Sequence, residues 1–332
     1  MFPRVTAVRP SWAIEGGRII IEGTDFPVDQ PRLPGVQIGG VDARVVAASS
    51  TSLTVIVPGG LASGSTPIRI EGVAYGDLAL FIDIAAEFAT GLHQVDNPVF
   101  DRDGNLYVTY SGTRGQQVPV SIFKVRPNGT RETFSSGIVN ATSMAIDAQG
   151  RLYVSSRFEG TVYRVGTDGT FETFATDLGV ACGLAFSKDG MLFVGDRSGT
   201  IFRVNQSGKT EAFASLPASV AAFHLALAPD GFVWVTAPTL STYDPIYKVA
   251  PDGTVSTVEV RFGRPQGIAF DPTGTLYVVE ALAGVSGLYR MPANGAPELV
   301  LAGPGLVGVA FDPRGGIVVC SNDTAYRLPR SA

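Results

Sequence analysis

Apolar residues along this chain come in short runs of alternating or β-branched character, broken by glycine, proline and aspartate, the pattern of strands and not of helices. The first 84 residues, including "GGRIIIEGTDFP", "GVQIGGVDARVVAASSTSLTVIVPGG" and "DLALFIDIA", predict six or seven short strands with turns between them. That is the pattern of a small β-sandwich.

Beyond it one pattern recurs six times: "NPVFDRDGNLYVTY", "SMAIDAQGRLYVSS", "GLAFSKDGMLFVGD", "HLALAPDGFVWVTA", "GIAFDPTGTLYVVE" and "GVAFDPRGGIVVCS". Its glycines, Gly104, Gly150, Gly190, Gly231, Gly274 and Gly315, recur about 40 to 46 residues apart, the period of a four-stranded propeller blade. Each copy supplies a strand, a turn and a second strand, and glycine fits the turn because two-residue hairpins need positive φ. Third and fourth strands follow, as in "TVYRVGTDGT" and "ETFATDL". The sixth copy runs short, with "TAYRL" its last strand, while "EFATGL", Glu87 to Leu92, stands before the first copy without a partner. The expected fold is therefore all-β: a sandwich over residues 1–84 followed by a six-bladed propeller over 85–332, closed by an N-terminal outer strand at about residues 87–92. Ring closure removes the edges on which an open array would aggregate.

Composition sharpens this. The 332 residues are 45% hydrophobic and 17% charged, ample for a packed core, and Gly 40 with Pro 22 suits many turns. A net charge of −5 without a basic run argues against nucleic-acid binding. Two cysteines, Cys182 and Cys320, are too few for a disulfide framework. No apolar run of membrane-spanning length or signal-peptide pattern is found, so a soluble chain is expected. It would be cytoplasmic as given, and secreted or periplasmic if a leader has been removed.

The order "GG-x-I-x-I-x-G-x-x-F", "V-x-I-GG-x-x-A-x-V" and "S-L-x-V-x-VP" resembles an immunoglobulin-like TIG (IPT) domain, which implies a spacer or interaction platform. The repeated "G-[IL]-A-F-D-x-x-G-x-L-Y-V" resembles the six-bladed NHL and gluconolactonase/regucalcin-like propellers, a fold that hosts many activities.

In such a ring the inner strands begin, and the second strands end, at one mouth of the central channel. Four residues before the last apolar position of each inner strand stand Asp96, Thr142, Cys182, Phe223, Gln266 and Val307; one residue further on stand Asn97, Ser143 and His224. Second-strand ends add Tyr110, Ser156, Asp196 and Glu280, with Arg157 and Arg197 just beyond. The resemblance to gluconolactonases implies a divalent metal, such as calcium, on carboxylate and amide oxygens. Asp96 matches the first ligand position, but Thr142, Cys182 and Gln266 at the others make a poor cage for a hard cation.

The candidates are His224 and Glu280 for catalysis and Asp96 for a metal. Asp96, Asn97, Thr142, Cys182, Gln266, Asp196, Arg157, Arg197 and Tyr110 are candidates for binding a ligand. Arginine pairs at the mouth would offer forked donors to a carboxylate, sugar acid or phosphate; as rim ion pairs they would contribute little. His224 lies among apolar residues, where a packed core histidine is the plain alternative. Three functions stay open: a module binding a polar small molecule or a partner segment at the mouth, a lactonase-like hydrolase or lyase, and a structural interaction module with an exposed apolar or charged face. "GPGLVG" at Gly303 to Gly308 and "DRDGN" at Asp101 to Asn105 mimic nucleotide and calcium motifs but read as turns, because the flanking elements those motifs need are missing.

Overall fold

The computed structural model describes residues 3–28, 32–73, 80–221 and 223–328, so the outer limits of the expected domains lie outside the described residues. The N-terminal region contains β1 (Arg4–Arg9), β2 (Trp12–Ala13), β3 (Arg18–Thr24), β4 (Val36–Ile38), β5 (Val41–Ser49), β6 (Ser52–Ile56), β7 (Gly64–Ile70) and β8 (Leu80–Ile84). Period-two alternation turns Ile19, Ile21, Leu53, Val55, Ile68 and Ile82 into one buried core, while Ile20 and Arg69 face out.

After β9 (Ala86–Thr90) the repeats follow in groups of four. The first holds β10 (Val99–Phe100), β11 (Leu106–Thr109), β12 (Ile122–Val125) and β13 (Arg131–Ser135). The second holds β14 (Ala141–Ile146), β15 (Leu152–Ser156), β16 (Thr161–Val165) and β17 (Phe171–Ala175). The third holds β18 (Ala181–Phe186), β19 (Leu192–Asp196), β20 (Thr200–Val204) and β21 (Thr210–Ser215). The fourth holds β22 (His224–Leu227), β23 (Val233–Thr236), β24 (Asp244–Val249) and β25 (Val255–Phe262). Then come β26 (Pro265–Phe270), β27 (Leu276–Glu280), β28 (Gly287–Met291), β29 (Glu298–Ala302), β30 (Leu306–Phe311), β31 (Ile317–Ser321) and β32 (Thr324–Arg327).

Among the described residues the separate four-stranded sheets number five, not the six expected. Four are the meanders β10–β13, β14–β17, β18–β21 and β22–β25, and the fifth has the order β30-β31-β32-β9. The strands β26 to β29 repeat the meander but belong to a twelve-stranded sheet continuous with the sandwich. The cause is β2, which pairs in parallel with β8 on one side and with β29 on the other, Trp12 opposite Leu301 and Ala13 opposite Ala302. A two-residue strand thus merges two domains that the repeat pattern shows as separate.

The strand before the first repeat does close the ring: β9 pairs antiparallel with β32, Thr90 opposite Thr324 and Glu87 opposite Tyr326. Burial follows distance from the axis. Inner strand β18 and second strand β19 are almost wholly buried, because neighbouring blades cover both faces, whereas the outer strand β17 is largely exposed. The turn glycines adopt positive φ as expected, 81° at Gly104 and 82° at Gly315. The loops are longer than two residues, however. In the first repeat Asp101 opens a loop to Asn105 and accepts the amides of Asp103 and Asn105. Asp147, Asp271 and Asp312 do the same in their repeats.

Candidate functional site

The inner strands converge on the channel axis, and the axis is not open. The segment before β10 crosses it, with Gln94 holding the turn: its Nε2 donates to the Asp96 carbonyl at 2.6 Å and its Oε1 accepts the Thr109 amide at 2.7 Å. Two glycines leave room for the crossing. A Cβ on Gly308 would lie 2.5 Å from the Asp96 carbonyl, and one on Gly267 would lie 2.4 Å from Asn97 Oδ1. Asn97 fills that space, donating to the Ile268 carbonyl at 2.8 Å and accepting the Val309 amide at 2.9 Å. At the same inner-strand position the other repeats carry Ser143, Gly183 and His224. Three side chains therefore share the axis with three glycines, a complementarity that sequence reasoning missed although the six aligned residues displayed it.

Three of the expected site residues meet there. Asp96 is 1% exposed and His224 fully buried; His224 Nδ1 lies 2.5 Å from Asp96 Oδ1, and its Nε2 lies 3.4 Å from Gln266 Oε1. Asp96 Oδ1 also accepts the Asn97 amide at 2.6 Å. Asp96 Oδ2 is buried and has no hydrogen-bond partner among the described residues. The Asp96–His224 contact spans 128 residues of sequence and braces the first repeat against the fourth, with Gln266 bringing in the strand that follows. The Thr236 hydroxyl, donating to the Gln266 carbonyl at 2.5 Å, holds Gln266 in place.

The other candidates have separate tasks. Glu280 does not reach the trio: its carboxylate accepts the amides of Gly263 at 2.6 Å, Arg264 at 2.8 Å and Leu282 at 2.6 Å. Asp196 is its counterpart in the third repeat, accepting the Val180 amide at 2.8 Å and the Ser198 amide at 3.1 Å. Both clasp the end of a second strand to the loop that enters the inner strand. Thr142 donates to the Asn140 carbonyl at 2.8 Å. Tyr110 packs edge-on against His93 and Phe123. Cys182 is buried, and burial, followed by the charge of Asp96, pushes its thiol up to about 12, so it is a protonated packing group and not a nucleophile.

No group of three or more histidine, cysteine, aspartate or glutamate side chains suited to a metal ion occurs among the described residues. The axial donors do not fit calcium either. One Asp96 oxygen is engaged by His224 and Asn97, the thiol of Cys182 is protonated, and the Thr142 hydroxyl is turned to a carbonyl. A single free carboxylate oxygen is far short of a six- to eight-oxygen shell.

Cations collect at the mouth. Arg157 follows β15 and is half-buried, with one long hydrogen bond from Nη2 to the Gly112 carbonyl at 3.5 Å. Burial, aided by repulsion from Arg197 and Arg114, lowers its pKa. Burial and then the Arg157 charge lower that of His93, a mouth residue the sequence reading left unnoticed. The Arg157 amide donates to the Asn140 carbonyl at 3.4 Å and the Arg197 amide to the Val180 carbonyl at 3.2 Å, each two residues before an axial position, Thr142 and Cys182, so the arginines border the end of the channel at which the inner strands begin. At the opposite end of the channel a vestibule of about 340 Å³ is lined by apolar residues including Val99, Met144, Leu225, Ile268 and Phe311; Asn97 and Ser143 reach this side.

Residues 3–79 match the IPT/TIG domain family. No curated protein matches the chain. Among solved structures, an auxiliary nutrient binding protein from Bacteroides ovatus is similar over 100% of this chain and 99% of its own, at 14% identity and a TM-score of 0.57. A gluconolactonase from Xanthomonas campestris aligns over 76% of this chain and 91% of its own, at 17% identity and a TM-score of 0.61. A virginiamycin B lyase from Staphylococcus aureus aligns over 73% and 87%, at 14% identity and a TM-score of 0.52. At these identities the likeness is one of fold: a β-propeller, in the first case together with the N-terminal region.

Proposed function

We propose that the protein is a binding module whose propeller, with β26 to β29 acting as a sixth blade of NHL type, takes a polar ligand at the arginine-bearing mouth. The TIG domain would serve as a fixed spacer or second contact. One observation carries this reading: Asp96 Oδ2, buried on the axis with no hydrogen-bond partner among the described residues. Leaving such an acceptor unsatisfied costs about 1–3 kcal/mol or more for a charged group, and a ligand hydroxyl or amide arriving there removes the cost. The fold it shares with an auxiliary nutrient binding protein agrees with a binding role.

With only two histidines in the chain, imidazole NMR signals test this directly: His93 reports the mouth and His224 the axis. Titration with a panel of neutral and acidic sugars should shift both signals, and Asp96→Asn should weaken the effect. Ligands that shift only the Met144 methyl, in the opposite vestibule, would refute the proposal. A second reading, favoured by the 2.5 Å His224–Asp96 contact, is a lactonase-like hydrolase or a lyase, with His224 as base and Glu280 positioning the mouth loops. Lactone turnover abolished by His224→Gln at unchanged thermal stability would establish it over simple binding.

A further inference from the structure

The arginines of the propeller divide into two sets. On the blades, Arg126, Arg164, Arg203 and Arg290 each bind a glutamate across the outer strand pair: Glu132, Glu172, Glu211 and Glu298. At the mouth, Arg114, Arg157, Arg197 and Arg264 have no ion-pair partner among the described residues. No carboxylate on that face pairs with them among the described residues: Asp96 is held through Oδ1 by His224, and Asp177 accepts the Thr176 hydroxyl at 2.8 Å. Asp196 and Glu280 hold amides, Asp244 holds Thr239, Glu159 accepts the Tyr163 hydroxyl at 2.9 Å and Asp323 accepts that of Ser321 at 2.8 Å. A chain with net charge −5 therefore keeps unneutralised guanidinium groups around one channel mouth, one of them half-buried.

Apolar side chains gather on the same face. Among the described residues, every large hydrophobic residue exposed on the propeller except Phe171 lies on a mouth-side loop: Phe158, Val220, Leu240, Tyr243, Leu282 and Val285. Two of them adjoin the arginines. Phe158, 53% exposed, follows Arg157 and sits over Gly115, the neighbour of Arg114. Val220 follows Ser219, whose amide donates to the Arg197 carbonyl at 2.9 Å, and its own amide reaches Pro238 in the Leu240 loop.

We propose that the mouth selects an amphiphilic oxyanion, a carboxylate or phosphate carried on an apolar body. The arginine forks take the oxygens, and Phe158 and Val220 cover the apolar part. Guanidinium groups match both oxyanions bidentately, and an aromatic side chain beside them adds contact area at low entropic cost. The inference rests on the reading that the mouth is the ligand site and adds the chemical class.

Four probes separate its parts: phenylpropionate, phenyl phosphate, benzyl alcohol and acetate, each titrated against the His93 signal. Phenylpropionate and phenyl phosphate should bind at least about ten-fold more tightly than benzyl alcohol or acetate, a difference of about 1.4 kcal/mol. The relative strength of the two anions distinguishes a carboxylate site from a phosphate site. Combining Arg157→Gln with Arg197→Gln should remove that advantage, and Arg197→Gln alone, at an exposed position, keeps the test decisive if the double variant does not fold. Benzyl alcohol binding as tightly as the anions overturns the oxyanion part, and acetate matching phenylpropionate overturns the apolar part. If no probe acts while the sugar panel still shifts His93 and His224, the inference falls and the mouth reading stands. Silence from both sets removes both.

Discussion

At the residue scale the axis is governed by which repeats lack a side chain. Gly183, Gly267 and Gly308 stand where the other repeats have Asn97, Ser143 and His224, and Gly267 has no positive φ that would call for glycine by itself. Its requirement is space: an added Cβ would meet Asn97 Oδ1 at 2.4 Å, Gly308 Cα at 2.6 Å and the Val307 carbonyl at 2.8 Å. Two of these neighbours are backbone and cannot rotate away. Gly267→Ala should therefore destabilise the fold by about 1–3 kcal/mol, the range for overpacking a filled site. Denaturant unfolding measures it, and a midpoint equal to wild type would mean that the axial segment is looser than described.

At the element scale the ring depends on β9, which brings Phe88 and Ala89, with Leu92 just beyond its end, into a cluster with Val318, Cys320 and Ala325. Phe88 is nearly buried, and the Arg327 guanidinium lies 3.7 Å from its ring centre. Phe88→Ala should cost about 3 kcal/mol, at the low end for a buried aromatic because the site is at an edge. Since the strand seals the first and last repeats together, amide exchange should quicken in β32 and β9 before it does in β19. Uniform exchange would show that closure is not the weak seam. This strand was legible in the sequence, because a fourth-strand motif without its repeat has one place to go. The fusion through β2 was not legible: two residues, Trp12 and Ala13, are too few to give a periodic signal.

At the scale of the whole molecule, sandwich and propeller share one hydrogen-bonded sheet, so they should unfold in a single transition. That transition should weaken on the alkaline side. Burial, then the hydroxyl's hydrogen bond to Glu159, raises Tyr163 to about 12; burial raises Tyr289 and Cys182 to about the same value. Each group is neutral when protonated, so a raised folded pKa means the native state holds the proton more tightly than the unfolded chain. The stabilisation is complete below the unfolded values, about 8.5 for cysteine and 10 for tyrosine, and is lost as pH climbs towards about 12. Calorimetry from pH 7 upward should show Tm falling above about pH 9. A flat profile, or two separate transitions, would contradict this account.

How much could be read in advance follows from the range of the forces involved. Strand content, turn positions, the repeat period and the spare closing strand were written in local alternation and in glycine placement, because pleat and turn geometry act over a few residues. Asp96, Gln266 and His224 were legible as neighbours of one mouth, since equivalent repeat positions lie on one ring. Their actual pairing was not, because the segment holding Asp96 and Asn97 leaves its strand and crosses the axis. Nor could the letters separate Glu280 and Asp196, which clasp amides, from arginines left without counter-charge. That depends on which donors lie within about 3 Å, a distance set only when strands remote in sequence pack together.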